Sequence, residues 1–468
     1  MENLILLFFI FILIQVSKCN EDSKIVFVYE YVRHGARSPL FADGNTEYID
    51  HFGTKWEGPA LLTLVGRREH YVIGIQNRKK YSSLINFDKF DINEIQIYTT
   101  NTGRTIQSIQ AELQAMYFPG TLEKLSNEQL AVALPPIENL PQEVITEAET
   151  LGNETIIYGI NVFPIQFVSP TKYLLNKAEN CPYMAKYQEE LVKKSKKRVD
   201  EFLKENDQRF GEQLQKFLNK SNRDFMYDFD FVELYFADEV ISNHYDGNNF
   251  IDFINQTEIN ITEFLEYNKE SKNIYIFHQN IDEEGGVMAA SPLMKDLINY
   301  MDDIINNKTK TTKMVIFGGH DDTMNCVLYF MQNAFNIPIE FIPFAASIYF
   351  ELHKKGTNDY YVEYIFDGKS LLTKDYNSFK NKVLEKIWSK EKINNFCYPK
   401  EESQTDKTGN DSNNETYKNA TLILSITNAI FFVLTLIFIF LFLHYRKKSK
   451  TLSFNSSKNE SILPEVDK

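Results

Sequence analysis

Apolar positions in the first third of the chain follow two alternating periodicities. Residues 25–29 form an unbroken apolar and β-branched run, which is typical of a strand buried on both faces. Residues 63–80 have the spacing of a helix, residues 94–99 the pattern of a second strand, and apolar side chains recur at helical spacing over residues 106–116. This alternation predicts an α/β fold with a mainly parallel, doubly wound sheet.

The middle of the chain has a helical pattern instead. Residues 189–217 are highly charged, with apolar side chains at the spacing of amphipathic helices, and residues 226–241 continue in the same style. Strand-like runs return at residues 314–317, 347–353 and 360–366. We therefore expect one domain over residues 20–399, whose α/β core comes from residues 20–147 and 311–399. Residues 148–310 would form a helical cap inserted between the two parts.

The amino-terminal segment indicates secretion. The apolar run over residues 4–14 is too short to span a bilayer, and it is followed by Ser17-Lys18-Cys19, which suits cleavage of a signal peptide over residues 1–19. Glu2 precedes the run without any Lys or Arg, so an uncleaved anchor is the alternative.

The carboxy-terminal segment indicates a membrane anchor. Residues 420–443 would form a helix about 36 Å long, enough to cross the hydrocarbon core. The basic cluster that follows would hold the last residues in the cytoplasm. The prediction is a single-pass type I membrane protein with a glycosylated stalk at 400–419, a transmembrane helix at 420–443 and a cytoplasmic tail at 444–468. Its domain would be lumenal or extracellular.

The net charge restricts the partners. The chain has a formal net charge of -14, and non-specific nucleic-acid binding depends on Lys and Arg, so no nucleic-acid partner is expected. An anionic substrate would need a concentrated positive site on such a protein. A simpler interpretation is that the negative net charge keeps a secreted protein soluble in acidic surroundings. Glycosylation sequons on the predicted lumenal side agree with secretion: Asn153, Asn219, Asn255, Asn260, Asn307, Asn410, Asn414 and Asn419.

The cysteines allow one disulfide at most. Removal of the signal peptide leaves Cys181, Cys326 and Cys397, and three is an odd number. We expect Cys181 to pair with Cys397 and Cys326 to be a buried free thiol. The chain has no Cys-x-x-Cys pair, so neither a zinc site nor a redox motif is indicated, and we expect no cofactor.

The heptapeptide from Arg33 to Pro39 is the strongest chemical signal. It directly follows the first predicted strand, and ligands of open α/β sheets bind at the carboxyl ends of strands. Arg33 and Arg37 flank His34, and planar guanidinium groups match phosphate oxygens bidentately. An isolated histidine is more often structural, but this dense cationic segment indicates phosphate binding.

The same heptapeptide resembles the R-H-G-x-R-x-P signature of the histidine acid phosphatases, the second branch of the histidine phosphatase superfamily. The likeness extends over about residues 24–397. The signature and the His-Asp motif are specific when taken together, whereas the other segments are individually weak. The further segments are Leu62-Thr63 with Gly66, Arg104-Thr105, Gly319-His320-Asp321-Asp322-Thr323 and Phe344-Ala345-Ala346-Ser347.

The resemblance implies a role for each motif residue. His34 would attack phosphorus and form a phosphohistidine, and Asp321 would protonate the leaving alcohol, which favours acidic pH. The arginines would lower the pKa of His34 and stabilise the transition state without a metal. The phosphoryl oxygens would be bound by Arg33, Arg37, Arg104 and His320.

Some assignments have competing interpretations. Arg104 could instead form a surface salt bridge on its helix. His70, His244 and His278 have no ligand spacing, and we expect them to be structural or surface residues.

The expected activity is hydrolysis of phosphate monoesters in a lysosome or vacuole or at the cell surface. One alternative is an inositol polyphosphate (phytase-like) phosphatase, although the second motif there more often resembles His-Ala-Glu. Another is a catalytically silent ectodomain that binds partners at the surface. Some relatives dimerise, so a homodimer is left open.

Overall fold

The computed structural model describes residues 23–40, 48–120, 124–137, 140–156, 158, 160–248, 250–308 and 311–399. The predicted signal peptide at 1–19, stalk at 400–419, transmembrane helix at 420–443 and cytoplasmic tail at 444–468 lie outside these residues. None of the helices within the described ranges combines the length and apolarity needed to cross a bilayer.

Strands and helices alternate in the first and last parts of the domain, as the apolar pattern predicts, and the middle part is mostly helical. The strands are β1 Lys24–Arg33, β2 Tyr48–Ile49, β3 Lys55–Trp56, β4 Ile95–Thr99, β5 Gln166–Phe167, β6 Met314–Gly319, β7 Ser347–Lys355, β8 Asp359–Phe366 and β9 Lys369–Asp375. The helices are α1 Leu64–Tyr81, α2 Gly103–Met116, α3 Asn127–Leu130, α4 Gln142–Glu149, α5 Pro170–Tyr173, α6 Tyr183–Asn206, α7 Glu212–Phe217, α8 Asp238–Tyr245, α9 Ile251–Gln256, α10 Ile261–Ile274, α11 Glu283–Ile305, α12 Asp321–Phe335, α13 Tyr376–Lys386 and α14 Lys390–Cys397.

The α/β class is confirmed, but the sheet is mixed rather than mainly parallel. Its strand order is β5-β4-β6-β1-β7-β8-β9. The first four strands run parallel, whereas β7, β8 and β9 pair antiparallel with their neighbours. Short loops explain the β7–β8 and β8–β9 pairs, because parallel neighbours need a crossover of about a dozen residues or more. β8 and β9 are joined by Asp367-Gly368 alone, both at positive φ (44° and 77°), as a two-residue hairpin requires.

Helices cover both faces of the sheet. Val28 and Val32 of β1 face one apolar cluster, which contains α1 and α2 residues such as Tyr81 and Leu113. The alternate residues of β1, including Tyr29, face the other cluster, which α11, α12 and α13 complete. The continuous apolar run that predicted a strand buried on both faces is therefore explained by this three-layer arrangement.

The inserted helices have an apolar core of their own. Side chains between Val199 and Ile274 form a separate cluster rich in phenylalanine, and Phe52 packs against it. Three π-helical turns interrupt these helices, at Asp207–Gly211, Phe231–Ala237 and Tyr275–Asn280. Such turns often re-aim side chains at functional sites. By contrast, α11 packs on the sheet itself.

A disulfide ties the insertion to the last helix. Cys181 and Cys397 are bonded, and Cys326 is a buried free cysteine, so the expected pairing is confirmed. The two bonded cysteines are separated by 216 positions in the sequence. The bond therefore links segments from distant parts of the chain.

Candidate active site

The predicted site residues converge at the carboxyl ends of three adjacent parallel strands. Arg33 at the end of β1 pairs with Gly319 at the end of β6, and Thr99 of β4 pairs with Gly318. The residues that leave these strands therefore meet at one edge of the sheet, where α/β proteins bind ligands. His34 follows β1 directly, and His320 follows β6.

The His34 ring is held neutral in a single tautomer. Its Nδ1 lies 2.8 Å from the carbonyl oxygen of Gly35, which can only accept, so Nδ1 carries the hydrogen and Nε2 carries the lone pair. Burial, followed by the charges of Arg104 and Arg33, holds the pKa of His34 well below its usual value. The arginines thus act in the expected direction, but burial is the larger cause.

The backbone around His34 is fixed from three sides. Its N–H donates to the carbonyl of Gly319 at 3.0 Å, and its carbonyl accepts from the N–H of Ala345 at 3.0 Å. A Cβ on Gly35 would lie 2.3 Å from the carbonyl oxygen of Gly66 on α1. Only glycine permits this approach, which brings the loop against the first turn of α1.

Arg33 forms an ion pair with the proposed acid. Its Nη2 lies 2.6 Å from Oδ2 of Asp321, and its Nη1 donates to the carbonyl of Ile342 at 2.7 Å. The guanidinium group lies over the Phe344 ring, 4.3 Å from its centre. These contacts fix the plane of the guanidinium group next to His34.

Arg37 pairs with a carboxylate that the sequence did not reveal. Asp238, at the start of α8, accepts two hydrogen bonds of 2.9 Å from Arg37, and Lys272 approaches the same carboxylate at 3.2 Å. The backbone N–H of Leu40 donates to it as well, at 2.7 Å. Burial alone would raise the pKa of Asp238, but Arg37 and Lys272 lower it far below its usual value. Asp238 is therefore an ionised partner for the cationic site.

Arg104 faces the site, not the helix surface. Its Nη2 lies 3.3 Å from Nδ1 of His320, and Nε2 of His320 lies 2.9 Å from the hydroxyl of Thr100. A guanidinium group can only donate, so Nδ1 of His320 accepts and Nε2 carries the hydrogen. Burial lowers the pKa of His320 to about 4. The surface salt-bridge interpretation of Arg104 is thus not favoured.

Asp321 is ionised in this arrangement. Burial would raise the pKa of Asp321, but Arg33 and Arg37 outweigh it and lower the pKa to about 2. The expected general-acid role would therefore require that substrate binding raises the pKa of Asp321.

A cavity of about 630 Å³ joins these groups. His34, Arg37, Arg104, His320 and Asp321 form its floor. Its walls come partly from the inserted helices. They include Lys177, whose ammonium group pairs with Asp322, and also Lys272, Tyr275 and Asn180. The six predicted site residues are thus brought together, and the wall residues are an addition that only the tertiary structure provides.

Comparisons with known proteins identify the family. Residues 24–367 match the sequence profile described as histidine phosphatase superfamily (branch 2). The chain belongs to this superfamily. It is similar to the lysosomal acid phosphatase of Xenopus laevis (28% identical over 123 residues, 26% of this chain and 27% of the relative). It is also similar to the human prostatic acid phosphatase (29% identical over 171 residues, 32% of this chain and 41% of the relative).

These alignments cover less than half the length of either curated relative. A solved phytase of Hafnia alvei in complex with tartrate has a TM-score of 0.51 at 10% identity, over 78% of this chain and 98% of that chain. A likeness at this identity shows the histidine phosphatase fold alone.

The three histidines outside the predicted site, His70, His244 and His278, differ in their burial. His70 is fully buried and contacts the backbone carbonyl of Arg33 through Nε2 at 3.0 Å. His244 is exposed and His278 is half-buried, and neither lines the cavity. They are structural or surface residues, as expected, but His70 directly supports the signature segment.

One group of potential metal ligands lies elsewhere in the described part of the chain. Glu351, His353 and Glu363 bring ligand atoms within 4.8 Å of one another on β7 and β8. Glu351 already accepts hydrogen bonds from Lys80 and Tyr81. Glu351 and His353 lie opposite Val28 and Ile25 of β1, so this group is remote from His34.

Proposed function

We propose that this protein is an acid phosphatase that hydrolyses phosphate monoesters through a phosphohistidine at His34. The observation that carries the proposal is the hydrogen-bond direction at His34, whose Nδ1 donates to a carbonyl and leaves the Nε2 lone pair available. Two arginines and a second histidine line the same cavity, so a phosphoryl group there would meet cations on several sides.

The first step forms a P–N bond. Nε2 of His34 attacks phosphorus, and the P–O bond of the ester breaks with its electron pair on the leaving oxygen. That oxygen takes a proton from Asp321 and departs as the alcohol. Arg33, Arg37 and Arg104 stabilise the charge on the three phosphoryl oxygens, which is the main requirement of phosphoryl transfer.

The second step restores the enzyme. Asp321, now ionised, accepts a proton from water, and the water oxygen attacks phosphorus. The P–N bond breaks and its electron pair returns to Nε2 of His34. Neither step requires a metal, because arginine side chains supply the positive charge.

We also propose that the domain is displayed on the lumenal or outer face of a membrane, anchored through residues 420–443. The sequence pattern of that segment supports this placement. The described sequon asparagines are also exposed and accessible to glycosylation: Asn153, Asn219, Asn255, Asn260 and Asn307.

The test is a phosphatase assay of the full-length chain in detergent against a panel of phosphate monoesters from pH 3 to 9, with and without EDTA. We expect hydrolysis that is fastest below neutral pH, that EDTA does not change and that His34→Ala abolishes. A labelled substrate should leave acid-labile phosphate on the wild-type chain. Retained turnover in His34→Ala would contradict the nucleophile.

The same panel separates the alternatives. Inositol hexakisphosphate as the preferred substrate would favour the phytase-like alternative over a general phosphomonoesterase. Absence of turnover on every ester at every pH would favour the silent ectodomain.

A further inference from the structure

A fully buried polar network lies directly behind the signature segment. Glu30 of β1 and Glu112 of α2 are both 0% exposed, and the side-chain amide of Asn77 on α1 donates to both carboxyls, at 2.9 and 3.0 Å. Tyr349 of β7 contacts Glu30, and His70 of α1 contacts Glu112. Among the described residues, neither carboxyl is paired with a lysine or arginine. Two adjacent buried carboxylates without a cation cannot both be ionised at an acceptable cost.

Counting hydrogens at Tyr349 requires a proton on Glu30. The Tyr349 hydroxyl lies 2.8 Å from Oε1 of Glu30 and 3.0 Å from Oδ1 of Asn77. A hydroxyl has one hydrogen, so it cannot donate to two acceptors. Both contacts are satisfied if Glu30 is a carboxylic acid that donates to Tyr349, which then donates to Asn77. Reversing the Asn77 amide would make both carboxyls face an acceptor and would require still more protons.

Counting hydrogens at His70 requires a second proton. Nε2 of His70 lies 3.0 Å from the carbonyl oxygen of Arg33, so Nε2 carries a hydrogen. Nδ1 lies 3.3 Å from Oε2 of Glu112. Burial lowers the pKa of His70 to about 4 and so keeps its ring neutral, which makes Nδ1 an acceptor and requires a protonated carboxyl as its donor. With both carboxyls protonated the network is uncharged, and the contacts of Tyr349, Asn77 and His70 each have one donor and one acceptor. The carboxyls of Glu30 and Glu112 also contact each other.

We propose that Glu112 is a positioning residue for the phosphatase reaction: as a neutral acid it holds His70 in the tautomer that donates to the Arg33 carbonyl, and its ionisation releases that carbonyl. This proposal rests on the proposed function. When Glu112 loses its proton to solvent, His70 moves its own hydrogen from Nε2 to Nδ1 to face the carboxylate. The bare Nε2 then faces the carbonyl of Arg33, and two acceptors repel each other.

The Arg33 carbonyl matters because it is one of the points that hold the nucleophile segment. The N–H of Gly35 donates to Ser108 at 3.1 Å and that of Ala36 donates to Glu69 at 2.7 Å, so α1 and α2 hold the loop through side chains. His70 supplies the contact at its first residue. Loss of this contact would let the Arg33 backbone, and with it His34, move away from the phosphoryl group.

The titration of the network agrees with the hydrogen count. Burial raises the pKa of Glu112 to about 8 and that of Glu30 well above its usual value, and burial lowers the pKa of His70 to about 4. The other titratable groups that face the network are Glu69 and Tyr81 of α1 and Tyr349 of β7. The ammonium group of Lys80 lies 6.0 Å from the Tyr349 ring and pairs with Glu351. Between about pH 4 and 8 the network is therefore neutral, which covers the acidic range of the proposed activity.

The decisive variant is Glu112→Gln in the full-length chain. Glutamine can accept from Asn77 with its oxygen and donate to His70 with its nitrogen, so it preserves the network without an ionisable proton. Glu112→Leu removes the donor. Glu351→Gln is the matched control, since Glu351 is an equally buried acid (1% exposed) that does not contact His70.

The effect of these variants is measured as kcat for an aryl phosphate with a good leaving group, from pH 5 to 9.5. We expect wild-type kcat to fall through an ionisation near pH 8. Glu112→Gln should move this fall upward by at least about one pH unit and keep kcat at pH 5.5 within about threefold. Glu112→Leu should lower kcat at least about tenfold at every pH. An alkaline fall in Glu112→Gln that matches the wild type, or one that Glu351→Gln shifts equally, would overturn the proposal.

A second measurement does not depend on turnover. The protein is labelled with 15N-histidine and studied by NMR, and the His70 signal is assigned by its absence from the His70→Gln spectrum. This signal should change from that of the Nε2–H tautomer to that of the Nδ1–H tautomer as pH passes about 8. Glu112→Gln should abolish the change. An unchanged tautomer in the wild type overturns the proposal. If the tautomer changes but the chain hydrolyses no ester, the proposed function is wrong, and so is the role of Glu112 in catalysis. The coupling of Glu112 to His70 would still be supported.

Discussion

The protonation of Asp321 gives the sharpest prediction, because the ion pair with Arg33 holds Asp321 in the form that cannot donate. Its carboxylate is 2.6 Å from Arg33, and its pKa is about 2. A general acid must be protonated when the leaving oxygen departs. Substrate binding must therefore raise the pKa of Asp321 by several units if the proposed mechanism is right.

The bound phosphoryl group can supply this shift. A unit negative charge about 5 Å away at an effective dielectric constant of about 20 destabilises the Asp321 carboxylate by about 3 kcal/mol. That energy corresponds to about two pKa units. A dianionic ester would thus raise the pKa from about 2 to about 6, and it would also compete for the Arg33 guanidinium group. An ester that arrives as a monoanion can deliver the same proton to Asp321 directly.

The assay compares an alkyl phosphate with p-nitrophenyl phosphate in wild type and Asp321→Asn. We expect kcat for the alkyl ester to fall above about pH 6, and Asp321→Asn to lower it by about 10²–10⁴-fold. The aryl ester should lose much less, because nitrophenolate needs little protonation to leave. Both esters place the same phosphoryl group on Arg33, so the comparison cancels any change in phosphate binding. Equal losses on both esters, or alkyl turnover that is flat from pH 4 to 8, would refute the reasoning.

Three further predictions concern stability and packing. Asp238→Asn leaves the buried Arg37 without its charge partner and should destabilise the fold by about 3–5 kcal/mol in urea unfolding at pH 6; a change below about 1 kcal/mol would contradict a structural ion pair. Cys181→Ser should cost about 2–5 kcal/mol by the same measurement, and dithiothreitol should then have no further effect. Gly35→Ala places a Cβ 2.3 Å from a backbone oxygen and should lower kcat at least about 100-fold. Gly103→Ala is the control, because its Cβ would meet nothing within 4 Å, and it should not lower kcat. Similar activities of the two variants would refute the close-packing argument.

The sequence predicted the part of the site that lies in short motifs at strand ends. His34 and Arg33 follow the strand run of β1, and His320 and Asp321 follow that of β6, so contiguous residues define both the element and its chemistry. The topology of parallel strands then brings the two motifs to one edge without further information. Arg104 was less certain from its sequence, because a helix position alone does not say which side of the helix faces the site.

The partners of these residues could not be predicted in the same way. Asp238 meets Arg37 across 201 positions of sequence, and it lies at a π-helical turn inside a segment whose pattern indicated only amphipathic helices. Glu112 looks like an ordinary surface acid on a helix, and only the packing of α2 against α1 and the sheet makes it buried. The runs that became β7 and β8 were predicted as strands, but an apolar run does not specify strand direction. The local signal for an antiparallel hairpin is the Asp367-Gly368 turn between β8 and β9.

The two carboxylates that face the arginines have different tasks, and their environments explain why. Asp238 is fully buried and receives hydrogen bonds from Arg37 and from the backbone of Leu40, so no substrate can displace it without leaving a buried charge. Since its folded pKa is depressed, its stabilising contribution is present above the unfolded pKa of about 4 and is lost only as pH falls towards the lower folded value, so the site survives acidic surroundings. Asp321 is partly exposed, lines the cavity and is held mainly by Arg33. In the proposed mechanism, a phosphoryl group that takes over Arg33 would free Asp321 and raise its pKa at the same moment, so the counter-ion of Arg33 would become the general acid.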